Sequence, residues 1–204
     1  YIKSSEEFFN PSSLYYPSVR VKKELEDSRE YFLKKFNAKA KSTFIFTGSA
    51  SESNNSVLNS VITRKDKKYI IGGGEHSSIF ETAKKYKENG YNIVFAPLQK
   101  NGGIDVDKLF DLIDQDTAFI SIIHISNETG AINDIEDISK RAKMINPNIL
   151  VHSDGVQAVG KIDIDLSKLG VDFYTISAHK INGPKGIGGL FISNSNKFKP
   201  FILG

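Results

Sequence analysis

The sequence predicts an α/β fold: a mostly parallel sheet with helices on both faces and one antiparallel strand. Three observations carry that expectation. Short β-branched or aromatic runs recur along the chain: "STFIFTG", "KYIIGG", "NIVFAP", "TAFISIIHIS", "NILVHSD", "DFYTISAH" and "IGGLFIS". Polar stretches of helical length separate most of them, which is the pattern of strand–helix–strand crossovers in a parallel sheet. The last run follows its predecessor through a Gly/Pro loop too short for a right-handed crossover, so it is expected to lie antiparallel.

The chain begins with an amphipathic helix over 19–36, with Val21, Leu25, Phe32, Leu33 and Phe36 on one stripe and charges filling the rest. Further helices are expected over 53–63, 77–89, 106–113 and 135–144. Near-continuous apolar runs such as "FISIIHI" suit strands buried on both faces rather than one. With 204 residues, 39% of them hydrophobic and 25% charged, the chain is long enough for one sizeable core. No internal repeat, low-complexity linker or boundary divides it, so residues 1–204 are expected to form a single domain.

Composition narrows the function classes. The net charge of +3 arises from 27 basic and 24 acidic residues. Lysines are interspersed with acids, as in "TRKDKKY", which reads as solvated surface and not as a nucleic-acid footprint. The apolar run "AFISIIHI" is far too short to span a bilayer, and no signal peptide precedes Tyr1, so neither a membrane nor a nucleic acid is expected as partner and the cytoplasm is the expected compartment. The chain holds no cysteine. Disulfides and thiolate metal sites are therefore excluded, no metal ligands are assigned, and any thiol chemistry is supplied from elsewhere. The opening on Tyr and the stop at "KPFILG" read as a chain cut at both ends.

Ligands of open α/β sheets collect beyond the carboxyl ends of the strands. Five polar motifs follow apolar runs in this way: "TGSASESNN", "GGGEHSS", "SNETG", "SDGVQ" and "SAHK". In the first, small residues and hydroxyls between strand and helix leave N–H groups free at a positive helix end, which suits a phosphate. An ordinary N-cap by Ser51 or Ser53 is the bland alternative. Asp154 in "SDGVQ" ends a strand, where an unpaired buried carboxylate is costly and calls for a cation. Gln157 can present an amide to the same place. His76 follows three glycines and can stack on a flat ring, or cap the next helix. His124 and His152 read as satisfied core histidines.

Lys180 is the unusual residue. A lysine at a strand mouth among Ser177, His179 and a Gly-rich turn is expected to be partly desolvated and near another cation, which favours a neutral amine able to form an imine. A surface lysine opening a loop is the alternative. A phosphate cradle, an acid needing a cation, a flat-ring stacker and an imine-forming lysine at one sheet edge are together what pyridoxal 5'-phosphate requires.

With these residues in place, the sequence resembles the NifS-like cysteine desulfurases of the class V aminotransferase group, which have the fold type I architecture of pyridoxal-phosphate enzymes. "NPSSLY", "TGSASESNN", "EHSS", "SNETGAI", "HSDGVQAVGK" and "SAHKINGPKGIGGLF" match the family's segments in family order, the last very specifically. The resemblance implies that the chain is the cofactor-binding large domain. Lys180 would hold the cofactor covalently, Asp154 would pair with its ring nitrogen, and Gln157 would bond its phenolic oxygen. His76 would stack on the ring, Ala50, Ser51, Ser177 and His179 would bind the phosphate, and Asn127 would face substrate and ring oxygen.

The implied reaction converts L-cysteine to L-alanine, with Lys180 moving the Cα proton and an enzyme cysteine taking the sulfur as a persulfide, for iron–sulfur clusters or tRNA thiolation. A homodimer and a sulfur-acceptor protein are implied as partners. Family chains are roughly twice as long. The nucleophilic cysteine, an arginine for the substrate carboxylate and a phosphate ligand from a neighbouring subunit would lie beyond Gly204, so the chain alone is expected to be inactive in persulfide formation. Three stretches depart from the family pattern: Ser49-Ala50-Ser51 for a Gly-Gly-Thr or Gly-Ala-Thr run, Ser126 for asparagine, and Gly155 for alanine. A related lyase or transaminase, such as selenocysteine lyase, and a non-catalytic scaffold domain are the competing readings.

Overall fold

The computed structural model describes residues 9–202; the first residue, Tyr1, and the end of the "KPFILG" stretch lie outside them. Seven strands form one sheet: β1 (Thr43–Thr47), β2 (Lys68–Gly72), β3 (Asn92–Ala96), β4 (Thr117–Ser121), β5 (Leu150–Asp154), β6 (Phe173–Ser177) and β7 (Gly188–Ile192). Their order is β1-β7-β6-β5-β4-β2-β3. The β2–β3, β2–β4, β4–β5 and β5–β6 pairs are parallel, and β7 runs antiparallel to both β6 and β1. Among the described residues the α-helices are α1 (Tyr16–Lys35), α2 (Ala50–Val61), α3 (Ser77–Glu88), α4 (Val106–Leu112), α5 (Ile135–Ile145) and the short α6 (Leu166–Leu169).

Alternation along the strands divides the core into two layers. Ile70, Ile120, Val151, Tyr174 and Phe191 face α1, α4, α5 and α6, whereas Tyr69, Ile71, Phe119, Phe173 and Leu190 face α2 and α3. Helices thus cover both faces, and every residue of β6 and β7 is buried. That double burial is why these strands read as unbroken apolar runs instead of alternating ones.

Several boundaries differ from expectation for local reasons. The first helix starts at Tyr16, three residues early, because Pro17 sits in its first turn where a missing N–H costs nothing. Its stripe is half-buried along Val21 and Leu25, and only the C-terminal end docks fully. There Phe32 stacks on Phe44 at 4.7 Å between ring centroids, and Phe44 meets Phe191 at 4.6 Å. The strand expected over 117–126 pairs on both sides only to Ser121. Beyond it the backbone follows β5 alone, through Ile122 N–H to His152 O (3.1 Å) and His124 N–H to Asp154 O (2.9 Å). The strand expected to run through His179 ends at Ser177, and residues Ala178–Lys180 form a single 3-10 turn. The four-residue α6, capped by Asp165 and ended by Gly170 at φ 69°, was not expected.

Candidate functional site

All nine sequence-predicted site residues leave the carboxyl ends of parallel strands on one edge of the sheet. Ala50 and Ser51 follow β1, His76 follows β2, Asn127 follows β4, Asp154 and Gln157 end and follow β5, and Ser177, His179 and Lys180 end and follow β6. Asp154 pairs in register with Thr175, so the acid and Lys180 share that edge.

The start of α2 lies at this edge. Ser49 is the N-cap, its Oγ accepting from Glu52 N–H at 3.1 Å, and the Glu52 carboxylate accepts in return from Gly48 N–H at 2.7 Å. The cap is therefore Ser49 and not Ser51 or Ser53, which leaves the Ser51 hydroxyl exposed. Within a first helical turn the N–H groups of Ala50 and Ser51 have no intrahelical acceptor, so they remain available beside the positive helix end. Across from them β7 begins at Gly188, where a Cβ would lie 2.4 Å from the Ser49 carbonyl carbon. Only glycine permits that approach. Ser177 and His179 join through an Oγ–Nδ1 hydrogen bond of 2.8 Å.

The floor centres on Asp154, which is 3% exposed. Its carboxylate accepts from Asn54 Nδ2 at 2.9 Å and from Val156 N–H at 3.0 Å. Burial raises its pKa, while the Val156 and Asn54 hydrogen bonds and the nearby His76 oppose the rise. No lysine or arginine pairs with it among the described residues. Asn54 also donates to Ser78 Oγ (3.0 Å), which lies 2.9 Å from His76 Nδ1. One amide thus ties the acid to the exposed imidazole. His76 caps α3 as well, accepting from Ser78 N–H at 3.2 Å, so the capping role and an open ring face coexist.

Gln157 is half-buried, and its amide oxygen accepts from Lys161 Nζ at 2.5 Å, which leaves its NH2 group for the site. Asn127 is exposed on a turn held by Ser126, whose Oγ accepts from Glu128 N–H (3.3 Å) and Thr129 N–H (3.2 Å). The serine that departs from the family pattern is thereby the one that shapes the turn. Lys180 corrects the expectation of partial desolvation: it lies exposed on the 3-10 turn, because the Gly-rich segment after it is itself exposed and walls off nothing.

Two core histidines sit behind this edge. His124 Nδ1 meets Tyr174 Oη at 2.9 Å, and His152 bonds Ser121 Oγ (2.9 Å) and Thr175 Oγ1 (3.1 Å). Burial lowers their pKa values to about 4 and about 3, so both are neutral. Tyr174 explains Gly155, since a Cβ there would stand 2.0 Å from Tyr174 Cζ. The sequence did not point to Asn54 or Glu75, nor to Ser49 as the helix cap. Asn54 and Ser49 lie inside the "TGSASESNN" motif, whose hydroxyl and amide density was the available signal.

Residues 4–204 match the family described as aminotransferase class-V. The chain belongs to that family. Among this family member's curated relatives, the cysteine desulfurase IscS of Dictyoglomus turgidum is 38% identical over 202 residues, covering 98% of this chain and 50% of the relative. The chain spans about half the length of the curated relatives it matches. Among solved structures, a NifS-like protein superposes with a TM-score of 0.93 at 32% identity, over 100% of this chain and 56% of that one. A structure of SspA in complex with cysteine gives a TM-score of 0.90 at 28% identity, over 98% of this chain and 58% of that one. Among the described residues no helix is long and apolar enough to cross a membrane, and no cluster of three potential metal ligands occurs.

Proposed function

We propose that residues 1–204 form the cofactor-binding large domain of a pyridoxal 5'-phosphate-dependent cysteine desulfurase. The observation that carries the reading is Asp154: a buried carboxylate at a strand end, aligned by two N–H donors, with no lysine or arginine pairing with it among the described residues. A protonated heteroaromatic nitrogen supplies the missing charge, and a carboxylate so held keeps that nitrogen protonated. The rest of the edge fits the same group. The α2 N-terminus with Ser177 and His179 suits its phosphate, Gly188 lets the start of β7 pack directly against the Ser49 backbone at that end, and the exposed His76 ring can lie against its plane.

When bound, pyridoxal phosphate supplies an electron sink that stabilises negative charge at the substrate Cα. The protein's own groups do the remainder. Lys180 would hold the cofactor through its amine, and that amine would serve as the group that carries a proton to and from the substrate Cα. Gln157 and Asn127 orient the ring oxygen and substrate. Overall, L-cysteine and a protein thiol give L-alanine and a protein persulfide: the C–S bond breaks, an S–S bond forms, and the thiol proton balances the new C–H bond. With no cysteine in these 204 residues, that thiol belongs to a segment outside them. A homodimer, a sulfur-acceptor partner and a cytoplasmic site of action accompany this reading.

The test is titration of the chain with pyridoxal phosphate, read by visible absorbance, for wild type and Asp154→Asn. Loss of the protonated-ring band in the variant supports the assignment; an unchanged spectrum contradicts it.

A further inference from the structure

Glu75 stands one row behind Asp154 and takes no part in the function proposed above. It is 8% exposed, and Ser121 Oγ lies 2.9 Å from its Oε1, while Oε2 has no hydrogen-bond partner among the described residues. The same Ser121 hydroxyl lies 2.9 Å from His152 Nδ1, and His152 Nε2 lies 3.1 Å from Thr175 Oγ1. Four buried side chains from the β2–α3 loop, β4, β5 and β6 therefore form one continuous chain. The titratable groups around Glu75 are Asp154 and His152 on β5 and His76 beside it; no ion pair reaches it among the described residues.

Two carboxyl groups in one buried pocket without a lysine or arginine cannot both ionise cheaply. Hydrogen bonding decides which keeps the charge. Asp154 receives two close N–H donors, which favour its ionised form, whereas the close partner of Glu75 is a hydroxyl that can accept as readily as it donates, with the Ile123 N–H the weaker of its two hydrogen-bonding influences and Oε2 left without a partner among the described residues. We propose that Glu75 is a positioning residue: a neutral carboxylic acid heading a one-way hydrogen-bond chain through Ser121 and His152 to Thr175, which leaves Asp154 as the single negative charge of the pocket floor.

The direction of the chain follows from proton counting. Glu75 Oε1–H donates to Ser121, the Ser121 hydroxyl donates to His152 Nδ1, and His152 Nε2–H donates to Thr175. An ionised Glu75 would reverse every bond and place the ring proton on Nδ1. Burial, followed by the charge of Asp154, holds Glu75 well above the usual carboxylate range, against the pull of Ser121 and the Ile123 N–H. His152, pushed down to about 3 by burial, carries one ring proton.

The inference rests on the cofactor reading only for its consequence at Asp154, and the experiment separates the two. Nitrogen-15 NMR of the histidine-labelled chain, with His152 assigned by His152→Gln among the four histidines, reads the tautomer without any cofactor. The Nε2–H form at pH 7 is expected, and the Nδ1–H form overturns the proposal. In parallel, Glu75→Gln, which replaces one neutral group by another, is expected to hold the pyridoxal phosphate dissociation constant within about threefold of wild type; a larger change overturns the proposal, since removing a buried charge that acts on Asp154 would shift binding by more than that. If Asp154→Asn leaves affinity unchanged while the tautomer is as expected, the cofactor reading fails and the chain from Glu75 stands.

Discussion

Gly155→Ala is expected to damage the protein out of proportion to one methyl group. The added Cβ would lie 2.0 Å from Tyr174 Cζ and 2.2 Å from both Cε1 and Oη. Carbon contacts settle near 3.5 Å, so ring or backbone has to shift by more than about 1 Å. Tyr174 has little freedom to yield. It is 0% exposed, bonds His124 at 2.9 Å, and meets that imidazole edge-on at 5.9 Å between centroids. The backbone is pinned as well, by Gly155 N–H to Thr175 O at 2.9 Å. Overpacking of this kind costs about 3 kcal/mol, the upper end of its usual range. For a chain of this length that corresponds to a fall in Tm of roughly 6–12 °C. Urea unfolding followed by circular dichroism measures it, with Tyr174→Leu and the double variant completing a cycle. The double variant is expected to be no less stable than Tyr174→Leu alone, within about 0.5 kcal/mol. A Gly155→Ala chain within about 0.5 kcal/mol of wild type, or strict additivity in the cycle, would refute the reasoning.

Ser49→Ala removes the α2 cap and is expected to cost about 1 kcal/mol in the same unfolding assay, with Ser51→Ala near neutral; the reverse ranking would return the cap to Ser51. Stability should also rise with pH up to about 6.5 on account of His124 and His152. Burial keeps both neutral, so the unfolded chain binds more protons than the folded one between their lowered values, about 4 and about 3, and the ordinary value near 6.5. The His152 share is about 2 kcal/mol between pH 5 and pH 7. Glu75 and Asp154 act oppositely, their raised values favouring the folded chain at lower pH, so His152→Gln isolates the share: its acid limb should be shallower than that of wild type, and an unchanged limb counts against a neutral buried His152.

Much of the fold was legible because double burial writes itself into the strands as apolar runs, and helix-length polar segments mark the crossovers. The placement of β7 between β6 and β1 was only half legible. A short loop dictates its antiparallel direction, but its second neighbour, β1, is more than a hundred residues away, and such pairing depends on tertiary packing. The site's polar residues were legible where they follow an apolar run, as Asp154 and His76 do. Asn54 and Glu75 were not, because their roles arise from contacts with residues 100 and 46 positions away along the chain. Lys180 was singled out for its position, which the structure places at the mouth of β6, while the desolvation expected around it required walls that this sheet edge does not itself provide. Gly155 looked like a tolerable departure until Tyr174 showed what occupies the space.

The central claim is that one lysine at this edge forms the covalent bond to the cofactor. Incubation with pyridoxal phosphate, borohydride reduction and peptide mapping by mass spectrometry test it directly. The account predicts one dominant pyridoxyl-modified site, Lys180, with labelling abolished in Lys180→Ala. Modification spread over the exposed lysines, or undiminished in that variant, would contradict it.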